Sequence, residues 1–167
     1  MIASMQGAKS VICIDYNQFR LDYSKQFGST HLINASNENV EEKISEITNG
    51  EMADVVVEAT GSSTGLNECI DLVKKKGKII LFGLTQDDLI PLNQNKFLSK
   101  NCIIESTLIM GTDTPLKEIK EMVEMKERGI LDPSKLKTHE MGWEKVQEAF
   151  EMYDTNAEGL VKIALKV

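Results

Sequence analysis

The residues with the most chemical potential stand at the ends of short β-branched runs. Val11-Ile-Cys-Ile-Asp15 closes on a carboxylate, and helical spacing begins at about Asn17. An acid in that place accepts hydrogen bonds from ribose hydroxyls in folds that bind a dinucleotide. Asp is also a preferred helix N-cap, so the residue alone supports both readings. Arg20 lies one turn into the same helix; its guanidinium suits packing over a ribose or adenine, or plain exposure on a helix face. Val55-Val-Val-Glu-Ala-Thr60-Gly61 closes a second run, Leu81-Phe82-Gly83-Leu84 a third, and Ile109-Met-Gly111-Thr112 a fourth. Glycine at such ends permits close approach of a ligand to the backbone, or simply a tight turn. Four strand ends in succession carry a small, polar or ribose-competent residue. The set says more than any member.

Other chemistries are poorly served. The two histidines, His31 and His139, stand far apart, and the chain has no C-x-x-C or H-E-x-x-H spacing. Cys13, Cys69 and Cys102 read as small buried hydrophobes, and their odd number and wide separation fit a reducing cytoplasm. The net charge of −7 argues against a nucleic-acid backbone as partner. No apolar run reaches the roughly 18–20 residues of a membrane span, and the opening Met1-Ile-Ala-Ser-Met lacks the marks of a signal peptide.

The elements that must position these residues alternate in kind. Val11–Ile14, Asp54–Val57, Lys78–Phe82 and Cys102–Ile104 are compact β-branched runs without strict period-two alternation, as expected of strands covered on both faces. Between them, Val40, Ile44 and Ile47 share a helical face, as do Leu66, Ile70 and Val73, and later Leu116, Ile119 and Val123. Thr114-Pro115 is an N-cap followed by an N1 proline. Gly28, Gly77 and Gly129 are placed to close helices, and Lys74-Lys75-Lys76 to sit in a last helical turn against the dipole. From Trp143 onward the tail predicts one more helix (Trp143, Val146, Phe150) and a strand, Leu160–Leu165. Alternating strands and helices predict an α/β fold, doubly wound, with a mostly parallel sheet. The 167 residues are expected to form a single domain, 1–167.

A Gly-rich phosphate loop belongs about twenty residues before a ribose acid. Counting back from Asp15 runs past Met1. The expectation is a chain that opens inside the first helix, with Met1–Gln6 as its final turn and Gly7 as its cap, and that lacks the first strand and the Gly-rich loop.

In this form the sequence resembles the C-terminal, cofactor-binding part of the medium-chain, zinc-type alcohol dehydrogenases, and most of all their sorbitol/threonine branch. The resemblance is carried by Gly7–Asp15, Arg20, Phe27–Asn34, Ile47–Gly50, Ala53–Gly61, Gly77–Gly83, Leu131-Asp-Pro133, Thr138-His139 and Glu148–Phe150, in order along nearly the whole chain. It implies that Asp15 binds the adenosine ribose and selects NAD over NADP, with Arg20 beside it. Thr60 and Gly61 then line the adenine side, and Phe82, Gly83 and Leu84 contact the nicotinamide end. Gly111 ends the last such strand, and Lys162 lies near the pyrophosphate. Thr138-His139 matches a structural pair, so His139 is not assigned a catalytic role. The zinc ligands of the family lie in an N-terminal domain, so zinc is expected only there.

The resemblance implies the NAD-binding portion of an alcohol-, polyol- or threonine-type dehydrogenase, with the isolated chain neither catalytic nor zinc-binding. One alternative is a free-standing remnant acting by association alone; the family pairs its subunits through an edge strand that matches Cys102–Met110. Another is part of a methyltransferase, which also places an acid on a ribose. Without its central strand, the isolated chain is expected to be marginally stable.

Overall fold

The computed structural model describes residues 1–107, 113–155, 157 and 159–167. By contact the chain forms two compact units, one of residues 1–38 with 118–167, the other of residues 39–117.

In the first unit, the short helix α1 (Ile2–Met5) is followed by Gly7 with φ +84°, which is the left-handed residue expected of a helix end. Strand β1 (Ile12–Asp15) leads into helix α2 (Gln18–Ser24), whose N-cap is Asn17: its side chain accepts from the Arg20 N–H. A 3-10 turn (Lys25–Phe27) ends at Gly28 with φ +95°, as the sequence predicts. Strand β2 (His31–Asn34) then pairs parallel with β1, Asp15 opposite Asn34. Helix α2 packs on both strands, and Leu21 and Ile33 are fully buried.

The second unit opens with helix α3 (Val40–Ile47), capped by Asn39. Strand β3 (Ala53–Glu58), helix α4 (Gly65–Leu72), strand β4 (Val73–Leu81), helix α5 (Gln94–Lys100) and strand β5 (Ile103–Ser106) follow. The strands form a parallel sheet in the order β3-β4-β5. One face carries Val56, Ile79 and Ile104 against Leu66, Cys69 and Ile70 of α4, which makes the core of this unit. Burial and the nearby charges of Glu58 and Glu68 push the Cys69 thiol up to about 12, so it behaves as a small hydrophobe.

Helix α6 (Pro115–Glu127) begins at the proline of Thr114-Pro115 and is followed by Gly129 with φ +68°. In the first unit, strand β6 (His139–Gly142), helix α7 (Val146–Asp154) and strand β7 (Ile163–Lys166) follow, with β6 and β7 parallel. The α/β class and parallel pairing agree with the sequence.

Two local expectations are corrected. Lys74–Lys76 do not end a helix but lie in β4, and Gly77 is a strand residue there. The helix stops at Leu72 because Val73 is extended (φ −80°, ψ 144°), and Lys100 donates to the carbonyls of Asp71 and Val73 at 3.1 and 2.7 Å. The left-handed residue is Lys76 (φ +61°), not Gly77. Gly77 is needed for space instead: a Cβ there would lie 2.7 Å from Val73 Cγ2 and 2.9 Å from the Asp54 carbonyl.

Candidate functional site

The expected cofactor residues fall on both units. Asp15, Arg20 and Lys162 belong to the first; Thr60, Gly61, Phe82, Gly83 and Leu84 belong to the second. Gly111 lies outside the described residues, as do Ile109 and Met110 of the expected edge strand.

In the first unit, β1 delivers Asp15 at its carboxyl end, beside the start of α2. Its Oδ1 accepts the Asn17 N–H at 2.8 Å, and no protein donor reaches Oδ2 among the described residues. One oxygen of this carboxylate thus shapes the strand-to-helix turn. The N-cap itself is Asn17 rather than Asp15. The Arg20 side chain is committed in part, since Nε donates to the Leu160 carbonyl at 3.3 Å. Lys162 is exposed, and its carbonyl accepts the N–H groups of Thr138 and His139 at 2.9 and 3.1 Å. The Thr138 hydroxyl accepts the Val161 N–H at 2.9 Å, so Thr138 links the start of β6 to the approach of β7.

In the second unit, the ends of β3 and β4 lie side by side. Phe82 and Gly83 both donate their N–H groups to the Glu58 carbonyl, at 2.9 and 2.8 Å. Gly61 is left-handed (φ +68°), and a Cβ on it would meet the Leu84 carbonyl oxygen at 2.4 Å. A Cβ on Gly83 would lie 2.4 Å from the Gly61 nitrogen. Only glycine fits at either place, because backbone approaches backbone. Thr60, Phe82 and Leu84 are exposed around this glycine contact, Phe82 by 64% and Leu84 by 77%. The two strand-end turns thus pack backbone to backbone, with exposed apolar side chains beside them.

Glu58 was not among the expected residues. It is 6% exposed, and its Oε1 accepts from the Thr60 N–H, the Thr60 hydroxyl and the Gly61 N–H at 2.7, 2.5 and 3.0 Å. Strand alternation puts Glu58 on the same face as Val56, which packs against the core, a placement that shows only once the inward face of β3 is known. Beneath these turns is a cavity of about 40 Å³ lined by Glu58, Leu66, Leu81, Thr85 and Ile90 among others. Among the described residues, no group of three or more His, Cys, Asp or Glu side chains is placed to hold a metal ion.

The family model described as zinc-binding dehydrogenase matches residues 1–128. The chain belongs to the zinc-binding dehydrogenase family. An L-threonine 3-dehydrogenase of Marinomonas sp. is 32% identical over 95% of this chain and 44% of its own length. A sorbitol dehydrogenase of Bacillus subtilis is 32% identical over 87% of the chain and 40% of its length. The crystal structure of benzyl alcohol dehydrogenase from Acinetobacter calcoaceticus superposes with a TM-score of 0.87 at 26% identity, over 99% of this chain and 44% of that one. This chain thus spans less than half the length of the zinc-binding dehydrogenases it matches. The family resemblance read from Asp15, Thr60-Gly61 and Gly77–Gly83 agrees with these matches.

Proposed function

We propose that residues 1–167 are the cofactor-binding portion of an NAD-dependent dehydrogenase acting on an alcohol, a polyol or a hydroxy amino acid of the threonine type. The observation that carries this reading is Asp15 at the carboxyl end of parallel strand β1, beside the start of α2, with Oδ1 taken by the Asn17 N–H. That is where a dinucleotide fold places the acid that accepts from ribose hydroxyls. The close packing of the Gly61 and Gly83 turns supports it, since it gathers the carboxyl ends of β3 and β4, the place where open α/β sheets bind their ligands.

Bound NAD supplies the nicotinamide carbon that receives a hydride from the alcohol. The residues of this chain bind and orient. Asp15 accepts the ribose hydroxyls and repels a 2′-phosphate, which favours NAD over NADP. Thr60 and Gly61 border the adenine side; Phe82, Gly83 and Leu84 border the nicotinamide end. Arg20, Gly111 and Lys162 complete the cofactor contacts in this reading. None of these side chains is a base or nucleophile poised for the chemical step, so the isolated chain is read as non-catalytic, with zinc held by residues outside it. Two copies would pair through the outer edge of β5, and the unpaired cysteines Cys13, Cys69 and Cys102 fit a cytoplasmic location.

Saturation-transfer NMR on the 167-residue chain detects weak ligands and is the direct test. Transfer to the adenosine ribose and nicotinamide protons of NADH is the expected result. No transfer at millimolar NADH from a folded chain would refute the reading.

A further inference from the structure

Glu58 is a buried carboxylate that the cofactor reading leaves without a task. It sits on the core face of β3, and both its backbone and its side chain act on the strand-end turns. Through its carbonyl it takes the N–H groups of Phe82 and Gly83, at 2.9 and 2.8 Å. Through Oε1 it takes two N–H groups and a hydroxyl from Thr60 and Gly61. Its other oxygen faces the second turn: a Cβ built on Gly83 would stand 2.5 Å from Oε2. A Cβ on Gly65, the first residue of α4, would stand 2.8 Å from Oε1. Gly65 and Gly83 are thus too close to this carboxylate to carry a side chain, and Gly61, which donates to it, is barred from one by the Leu84 carbonyl.

Burying an ionised carboxylate is costly unless its oxygens are well satisfied. Three donors on Oε1 offset that cost, and all three come from Thr60 and Gly61. The chain has therefore placed a charged group in a core position at the one point where two strand-end turns meet. A structural apolar residue would fill this inward position without that cost. Val56, two residues earlier on the same face, is such a residue.

From this we infer that Glu58 is a positioning residue of the cofactor site. Its carboxylate fixes the Thr60–Gly61 turn, beside the Phe82–Gly83 turn that its backbone carbonyl holds, so that the strand ends are in place before the cofactor binds. Preorganisation of this kind lowers the ordering cost paid on association. The inference rests on the NAD reading above and adds to it the residue that sets the geometry of its second-unit half.

Two substitutions separate geometry from charge. Glu58→Gln keeps the length and one accepting oxygen, whereas Glu58→Asp keeps the charge but withdraws it by a methylene. Amide hydrogen exchange reports the turns directly, and NADH affinity of the same 167-residue samples reports the site. Losing two or three hydrogen bonds in Glu58→Asp should accelerate exchange at Thr60 and Gly61 by about tenfold or more. NADH affinity should fall by about as much, or below detection, while Glu58→Gln stays within about threefold of the parent. Thermal melts on all three proteins show whether affinity merely follows global stability, which a purely structural role requires. Unchanged exchange in Glu58→Asp, or faster exchange with unchanged NADH affinity, would overturn the inference and leave the NAD reading standing. Failure of the parent chain to bind NADH at all overturns the NAD reading, and the positioning role falls with it.

Discussion

Arg20 and Leu160, 140 positions apart in sequence, are joined by a hydrogen bond from the guanidinium Nε to the Leu160 carbonyl at 3.3 Å. Leu160 is 1% exposed, and Arg20 is half-buried on the first turns of α2. The residue read as a ribose neighbour is therefore also a tie between the N-terminal βα segment and the chain near β7. A buried carbonyl deprived of its donor costs about 1–3 kcal/mol. Arg20→Ala should lower stability by that amount in urea denaturation. Arg20→Lys, which has no donor at the Nε position, should recover little of the loss. An unchanged midpoint in both variants would mean that this contact carries no stability.

In the proposed reading Asp15 serves the turn through Oδ1, which accepts the Asn17 N–H, and the cofactor ribose through its charge. Asp15→Asn keeps an oxygen for the Asn17 N–H but loses the charge, so it should leave stability within about 0.5 kcal/mol. NADH binding should weaken, and the preference over NADPH should narrow. Asp15→Ala removes the turn bond as well and should cost about 1 kcal/mol. Titrating NADH and NADPH side by side by saturation transfer decides the assignment. Equal or better binding of NADPH by the parent chain would be incompatible with Asp15 on the ribose.

What the sequence disclosed, and what it withheld, follows from local physics. Strands β1, β3, β4 and β5 were legible because β-branched runs announce themselves without tertiary help. Strand β2, His31–Asn34, and β6, His139–Gly142, were not. Each has four residues with polar or glycine ends, and each is made a strand by its partner, β1 and β7 respectively. Helix α5 was missed although Asn93 caps it and Asn101 ends it in the left-handed region (φ +47°). The three lysines after α4 resembled a helix end because Gly77 looked like a stop. Lys100, supplied from α5, is what closes the helix earlier. The strand-end acid and glycines were legible as residue types in a repeating position. Glu58 was not, because a charge within an apolar strand reads as noise until the glycines around it are seen in space.

The glycine contact is the least forgiving part of the site. Gly83→Ala would place a methyl 2.4 Å from the Gly61 nitrogen and 2.5 Å from Glu58 Oε2. Neither neighbour is the end of a flexible surface chain, so the turns must separate. A loss of about 2–3 kcal/mol is expected from overpacking of this kind, with NADH binding lost in parallel. Gly50→Ala is the control: its φ is +86°, but nothing lies within 4 Å of the new methyl. That change should cost only about 1 kcal/mol of left-handed strain and leave NADH affinity alone. Comparable losses of affinity in the two variants would show that the crowding at Gly83 has no functional weight.

Glu140 ties the last two strands together through charge. Hydrogen bonds and ion pairs from Lys137 and from Lys166, the latter at 2.5 Å, hold its carboxyl at about 2. The folded value lies below the unfolded one, 4.5. The contribution to stability is therefore present above about pH 4.5 and is lost as pH falls towards 2. Solvent screens this exposed trio, so added salt should weaken the effect. Comparing acid unfolding of the parent with Glu140→Gln tests it. The variant should show a flatter stability profile between about pH 4.5 and 2 and a smaller salt dependence. Identical profiles would remove any thermodynamic role for the trio.

The final prediction concerns the open sheet edges. Among the described residues β3 is hydrogen-bonded to β4 alone, and β1 to β2 alone. Each of these strands also displays apolar side chains: Ile14 is 38% exposed on β1, and Val55 and Val57 are 51% and 55% exposed on β3. An open strand edge with β-branched residues beside it is a template for another strand. Burying such a side chain fully is worth about 1.5–3 kcal/mol, a large share of a typical total stability of about 5–15 kcal/mol. The chain alone should therefore melt in the lower part of the mesophile range and self-associate as concentration rises. Val57→Lys should suppress that association, because Val57 lies in register with Ile80, which is paired in turn with Glu105. An added strand supplied in trans or by fusion upstream should raise the melting temperature and strengthen NADH binding together. A monomeric 167-residue chain melting cooperatively above about 60 °C, near the top of the mesophile range, would show that these edges need no partner.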